Sequence, residues 1–136
     1  MKLTRTSKRA SGMTLLELTV VILVLLSLIS ILFVGARAWK KGSDRSANIM
    51  NIRNVQQAVR AHQNMNGLLE NALLDETIIF GNGTTEGYLK EPIPPSADIA
   101  AAYSYLGSVP PIGTLYITNA TGNADYAPAA TTYADW

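Results

Sequence analysis

Between Leu18 and Ala36 the chain runs for nineteen residues without a charged side chain. At 1.5 Å per residue a helix of that length is about 28 Å long, close to the thickness of a bilayer's hydrocarbon core, so the segment is able to span a membrane. Beyond it, from about Gly42 to Trp136, lie roughly 95 residues. That is near the lower range in which one hydrophobic core stands without staples or partners, so one small domain helped by assembly is the expectation.

The formal net charge of +1 conceals a division along the chain. Residues 1 to 45 carry eight Lys/Arg against Glu17 and Asp44, while residues 46 to 136 carry three Lys/Arg against eight acids. A soluble part with an acidic balance is unsuited to phosphate backbones, and nucleic acid is not an expected partner. The basic residues are better used for orientation. Lys2, Arg5, Lys8 and Arg9 precede the apolar run with no acid among them, which by the positive-inside rule keeps the start of the chain cytoplasmic and sends the rest across. Arg37, Lys40 and Lys41 behind the run weaken that bias. There is no cysteine, which removes disulfides, thiol nucleophiles and Cys-based zinc sites.

Glu17 stands at the very start of the apolar run, five positions after Gly12. A carboxylate in hydrocarbon costs several kcal/mol unless paired, so an acid there marks a functional position that needs a cation. The stretch GMTLLELTVVILVLLSLISILFV behind a basic leader resembles the N-terminal cleavage and methylation segment of type IV pilins and type II secretion pseudopilins. The resemblance covers about residues 8 to 40. It implies a prepilin peptidase that cuts after Gly12 and N-methylates Met13, where the family more often has Phe, and it implies a role for Glu17 in subunit assembly. The physical logic is that the new amino terminus of one helix sits beside the Glu17 carboxylate of a neighbour, turning two unpaired charges into an ion pair whose disruption costs roughly 3 to 5 kcal/mol. A competing reading takes Ala36-Arg37-Ala38 as a general signal-peptidase site. Against it, the apolar stretch exceeds the usual h-region and Glu17 would be an unexplained liability in it.

Past Trp39, Ile49, Ile52, Val55, Val59 and His62 recur at spacings of three, three, four and three, one face of an amphipathic helix from about Ser43 to Met65, with Arg53, Gln56, Gln57, Arg60 and Asn64 over much of the remainder. Gly67 is its C-cap, and Gly35 and Gly42 are the places for bending or local melting. A short second helix is expected over about Leu68 to Asp75. The best strand is Thr114 to Thr118, TLYIT, with a partner around Ala102 to Leu106 or close to Tyr126, although Pro110 and Pro111 disfavour a regular sheet there. Residues 119 to 136 read as an exposed loop or partly ordered tail, with Tyr126, Tyr133 and Trp136 available to pack it down.

The fold class expected is therefore α+β: a long N-terminal helix, membrane-spanning in its first half and amphipathic in its second, packed on a small C-terminal antiparallel sheet with loops. Its parts are a cleaved leader over 1–12, a transmembrane and filament-core helix over 13–39, and a small extracytoplasmic domain over 40–136. No enzyme is expected, since His62 has no partner nucleophile in the pattern and no phosphate loop follows a strand. No cofactor is expected. Major pseudopilins often bind calcium in their C-terminal loops, and this chain offers Asp125, Asp135 and several Asn and carbonyl oxygens there, although six or more ligands must converge and two acids ten residues apart do not show that. Asn82-Gly83-Thr84 and Asn119-Ala120-Thr121 match a glycosylation acceptor pattern. The partners implied are membrane lipid before assembly, the prepilin peptidase, inner-membrane assembly machinery with minor pilins or pseudopilins, and further copies of the chain as a helical homopolymer. The place implied is the bacterial inner membrane, then a periplasmic pseudopilus or a surface filament.

Overall fold

A computed structural model describes Gly12 and residues 14–136. The chain divides into an N-terminal unit that ends at Ala38 and a second unit, Trp39–Trp136. One helix, α1, runs Leu15–Asn66 and contributes to both. It is helical at both Gly35 and Gly42, so neither glycine interrupts the hydrogen-bonded spiral. α1 ends as its sequence demands: Gly67 takes φ of 62° and the Leu68 N–H returns to the Gln63 carbonyl at 3.0 Å, a Schellman cap that only a residue without a Cβ adopts at little strain.

In the first unit the apolar side chains of α1 have no protein to cover them. Leu15, Leu16, Leu23, Ile31, Leu32 and Val34 are all exposed, and apolar residues point to every side of the helix. The polar residues of this stretch satisfy themselves internally: Thr19 Oγ1 donates to the Leu15 and Leu16 carbonyls, Ser27 Oγ to Val24 and Ser30 Oγ to Leu26, all within 2.9 Å. Such a surface is stable against hydrocarbon, where no water is present to take up an orphaned hydroxyl. The helix is long and apolar enough to cross a membrane.

The second unit is built on the rest of α1. Ile52, Val55 and Val59 are fully buried, as their spacing predicts, and with Leu74, Ile79, Val109, Tyr116 and Ile117 they form the core. The residues from 109 to 126 run back along α1 in the opposite sense. Arg60 Nη1 donates to the Pro110 carbonyl, Gln56 Nε2 to Thr114 and Asn48 Nδ2 to Ala120 and Tyr126, and Lys41 pairs with Asp125. The C-terminal end then returns to the C-terminal part of α1, where Arg60 Nη2 holds the Trp136 carbonyl at 2.8 Å and the Arg53 guanidinium lies 5.3 Å from the Trp136 ring centroid.

The small antiparallel sheet is absent: there is no β-strand among the described residues, and the C-terminal region is mostly loop held by isolated bridges. TLYIT does lie against residues 104 to 106, with Tyr105 opposite Ile117, the Leu106 N–H on Tyr116 O and the Thr118 N–H on Ser104 O. The pairing stops at one bridge because a side chain takes the bond that would extend it. The Tyr116 N–H, which in a continued ladder would reach Leu106 O, donates instead to Gln56 Oε1 at 3.0 Å, and Gln56 Nε2 donates to Thr114 O at 3.1 Å. A second pairing, of residues 71 to 74 with 107 to 109, ends at Pro110 and Pro111, which have no N–H to continue a ladder.

The short second helix, α2, spans Glu76–Phe80 and not Leu68 to Asp75. Residues 71 to 74 are committed to Gly107 and Val109, with Asn71 N–H on Val109 O at 2.8 Å, and Asp75 is the N-cap, its Oδ1 accepting from Thr77 N–H at 2.9 Å and Thr77 Oγ1 at 2.8 Å. Those bonds favour the ionised carboxyl and hold it below the ordinary carboxylate value, the backbone bond being the larger cause. After α2 the chain doubles back tightly enough that a Cβ on Gly87 would lie 2.4 Å from Gly81 N, Ile79 O and Phe80 C. The segment from Asn119 to Trp136 is loop that is pinned where Ala120 and Tyr126 are buried and exposed over residues 129 to 132, and its helical piece is a single 3-10 turn, Ala130–Thr132.

Candidate functional site

The N-terminal end of α1 is shaped by Thr14, Glu17 and Leu18. Thr14 is the residue before the first helical one, and its carbonyl accepts the Leu18 N–H at 3.2 Å. Its hydroxyl accepts the Glu17 N–H at 3.2 Å, and the Glu17 carboxylate reaches back to the Thr14 N–H at the same distance. This is a reciprocal capping box, in which two of the four orphan N–H groups of a helix start are satisfied. An acid in the first turn is also favoured by the partial positive charge of the helix end. Glu17 is thus exposed among exposed leucines, yet its carboxylate is not adrift: it is folded onto the helix terminus, on the side from which the chain enters.

Gly12 is exposed, with no atom within 4 Å of the position a Cβ would take. Open surroundings at this peptide are what a protease would require. Met13 and the leader cations Lys2, Arg5, Lys8 and Arg9 lie outside the described residues. The capping box was open to sequence reasoning, because Thr14-x-x-Glu17 ahead of an apolar run is its signature. At the other end of the apolar stretch, Arg37 folds over the Phe33 ring at 4.3 Å. Trp39 is exposed and is followed by Lys40 and Lys41, the aromatic and cationic residue types that anchor a helix at a membrane surface.

The other candidates are held apart. Asp125 is bound to Lys41, and its hydrogen bond, with its charge as a smaller cause, raises the affinity of that ammonium for its proton. Asp135 lines an open cavity with Arg53, Arg60 and Trp136. Since Lys41 and Arg60 are separated by about 28 Å along the helix axis at 1.5 Å per residue, the two acids are not brought together, and no group of three or more His, Cys, Asp or Glu able to hold a metal occurs among the described residues. His62 Nδ1 lies 3.1 Å from Tyr88 Oη and 3.1 Å from Asn66 Nδ2, the two rings meeting edge to face. Of the two glycosylation patterns, Asn119 has both ends of its amide in use, accepting from Ser104 N–H and donating to Ala102 O. Asn82 sits on an exposed turn.

Sequence reasoning missed the buried amides. Asn48 and Gln56 are the buried polar side chains of the second unit, and the 3-and-4 spacing of apolar residues passes over both. No family model, curated protein or solved structure matches the chain.

Proposed function

We propose that this chain is a structural subunit of a type IV pilus-like filament or type II secretion pseudopilus, cut between Gly12 and Met13 by a prepilin peptidase and assembled from the inner membrane. The observation that carries the reading is the position of Glu17: a carboxylate drawn onto the first turn of a membrane-length helix whose apolar side chains are uncovered on all sides. In a lone anchor that acid is a liability. In a bundle of copies, each Glu17 is available to the amino terminus that cleavage creates on a neighbour, and the uncovered leucines find equivalent contacts on other helices, since lipid tails and leucines are similar solvents.

The reading makes the protein a building block and not a catalyst. Its partners are its own copies, the peptidase, lipid before assembly and the inner-membrane machinery that supplies the work of extraction. The short domain favours the pseudopilus type, as does the GYLKEP segment over 87–92, which resembles the stretch that precedes the sheet in short pseudopilin-like proteins. Helical structure through Ala36, Arg37 and Ala38 speaks against a general signal-peptidase site there, because such a protease acts on extended chain.

Intact-mass and N-terminal analysis of the mature protein tests the proposal. A chain beginning at N-methylated Met13 is the expected product, and a start at Trp39 or an uncut Met1 overturns the reading. Within the same scheme Glu17→Ala is expected to be cleaved normally and to assemble poorly, and normal filaments from that variant would refute the pairing argument.

A further inference from the structure

The chain contains two Asn-Gly dipeptides, Asn66-Gly67 and Asn82-Gly83, and the fold treats them in opposite ways. Asn-Gly is chemically fragile, because glycine has no side chain to shield its main-chain nitrogen from the carbonyl carbon of the preceding asparagine side chain. At Asn66 that chemistry is suppressed. Asn66 is the last residue of α1, and its Nδ2 donates to the His62 carbonyl at 2.9 Å and lies 3.1 Å from His62 Nδ1. Its amide is therefore turned back along the helix, away from Gly67.

At Asn82 the side chain is turned the other way. Its Oδ1 accepts the Thr84 N–H at 3.1 Å and the Thr85 N–H at 2.9 Å, which draws the amide forward over the Gly83 peptide. The residue is exposed, Gly83 has a φ of 80°, and no atom lies within 4 Å of the position of its absent Cβ. Two backbone N–H groups on one amide oxygen are the arrangement that stabilises an oxyanion, and they are in place before any charge develops.

We propose that Asn82 is a site of self-modification, in which Gly83 N closes on Asn82 Cγ and the Thr84 and Thr85 N–H groups serve as the oxyanion hole. Gly83 N gives up its proton to solvent base and forms a bond to Cγ, and the negative charge passes to Oδ1. The Cγ–Nδ2 bond then breaks with proton uptake, and ammonia leaves. Water opens the resulting succinimide at either carbonyl, yielding aspartate or isoaspartate. One water is consumed and one ammonia released, with no change of oxidation state. The isoaspartyl product adds a methylene to the backbone of a turn that has no slack, since Gly81 faces Glu86 across a bridge, Asn82 N–H holds Thr85 O at 3.2 Å and Gly87 is in close backbone contact with Gly81. The turn is expected to open, releasing Tyr88 from His62, and either product makes the acidic unit more acidic.

The test tracks the one-dalton mass gain at each dipeptide by peptide mass spectrometry, with the full chain held in detergent in mildly alkaline buffer and, in parallel, unfolded in guanidinium. In the folded protein Asn82 is expected to convert at least about tenfold faster than Asn66, a modest return for two solvent-exposed donors. It is also expected to convert faster folded than unfolded, while Asn66 converts more slowly folded. Equal rates at the two sites in the folded protein, or an Asn82 that reacts more slowly folded than unfolded, overturns the proposal. The unfolded arm makes the comparison independent of any variant that fails to fold.

Discussion

Tyr103 Oη donates to Asn48 Oδ1 at 2.7 Å, and the same Asn48 amide donates through Nδ2 to Ala120 O at 3.1 Å and Tyr126 O at 3.0 Å. A side chain that water does not reach thus holds three separate loop positions on α1. A buried amide is costly to desolvate and becomes an asset only when every bond is made, as it is here. Asn48→Ala leaves a buried hydroxyl and two carbonyls without that partner, and is expected to destabilise the second unit by about 2–4 kcal/mol. Urea unfolding of the full chain in detergent measures it, and a loss under about 1 kcal/mol would contradict the accounting.

Tyr116 presents the opposite case. Its ring is buried between Tyr105 and the core, but its hydroxyl has no hydrogen-bond partner. Tyr116→Phe is expected to leave stability unchanged or to raise it by up to about 1 kcal/mol. Burial, with smaller contributions from Glu76 and Asp75, pushes the Tyr116 phenol up to about 12. The unfolded chain therefore releases this proton first, and stability is lost as pH rises from the ordinary tyrosine value toward the folded one. The Phe variant should lose less stability over that alkaline range than the parent.

Asp75 governs the acid side. Its folded value is depressed by the Thr77 bonds, so its contribution is complete above the ordinary carboxylate value and disappears as pH falls through the lower, folded one. Asp75→Asn keeps an acceptor for the Thr77 N–H and removes the titration. A thermal midpoint that falls with acid in the parent, and falls less in this variant, is the expected pair of results.

Gly87→Ala and Gly107→Ala form a matched test of the turn. A methyl at 87 has to displace backbone atoms 2.4 Å away, whereas a methyl at 107 meets nothing within 4 Å. The first is expected to cost roughly 2–4 kcal/mol and the second less than about 0.5 kcal/mol. Equal losses would mean that the backbone around Gly81 and Gly87 yields more readily than its packing implies.

Thr14→Val removes the hydroxyl half of the capping box while leaving Glu17 in place. A lost N-cap is worth about 1 kcal/mol, and amide exchange at the first turn of α1 should accelerate roughly fivefold. Unchanged exchange would show that Glu17 alone secures the helix start.

α1 was legible in the sequence because both of its signals are local: an uncharged run of membrane length, and Ile52, Val55 and Val59 at helical spacing before Gly67. The β-branched and aromatic residues of TLYIT marked it for pairing but left two partners open, residues 102 to 106 or the stretch near Tyr126, and the fold takes the first, with Tyr105 opposite Ile117. Polarity alone misassigns Gln56, which patterning sends to the outer face with Arg60. Its amide has the geometry of a peptide group, and that match with Thr114 and Tyr116, about sixty residues away, has no signature in a local window. The expected sheet failed at that point. At the N-terminus, Glu17 stood out by its charge and its distance from Gly12, whereas its pairing with Thr14 went unread, and the fold adds the direction in which the carboxylate is drawn.

The bonds that close the second unit join residues far apart in the chain: Asn48 with Ala120 across 72 positions, Arg60 with Trp136 across 76 and Lys41 with Asp125 across 84. Contacts of such separation bring their reward only after a large loop has been closed, which slows folding. They also impose an order of events in synthesis. The ribosome completes α1 long before it supplies residues 109 to 126, so the face that carries Ile52 and Val59 is left half-naked until those residues have followed it.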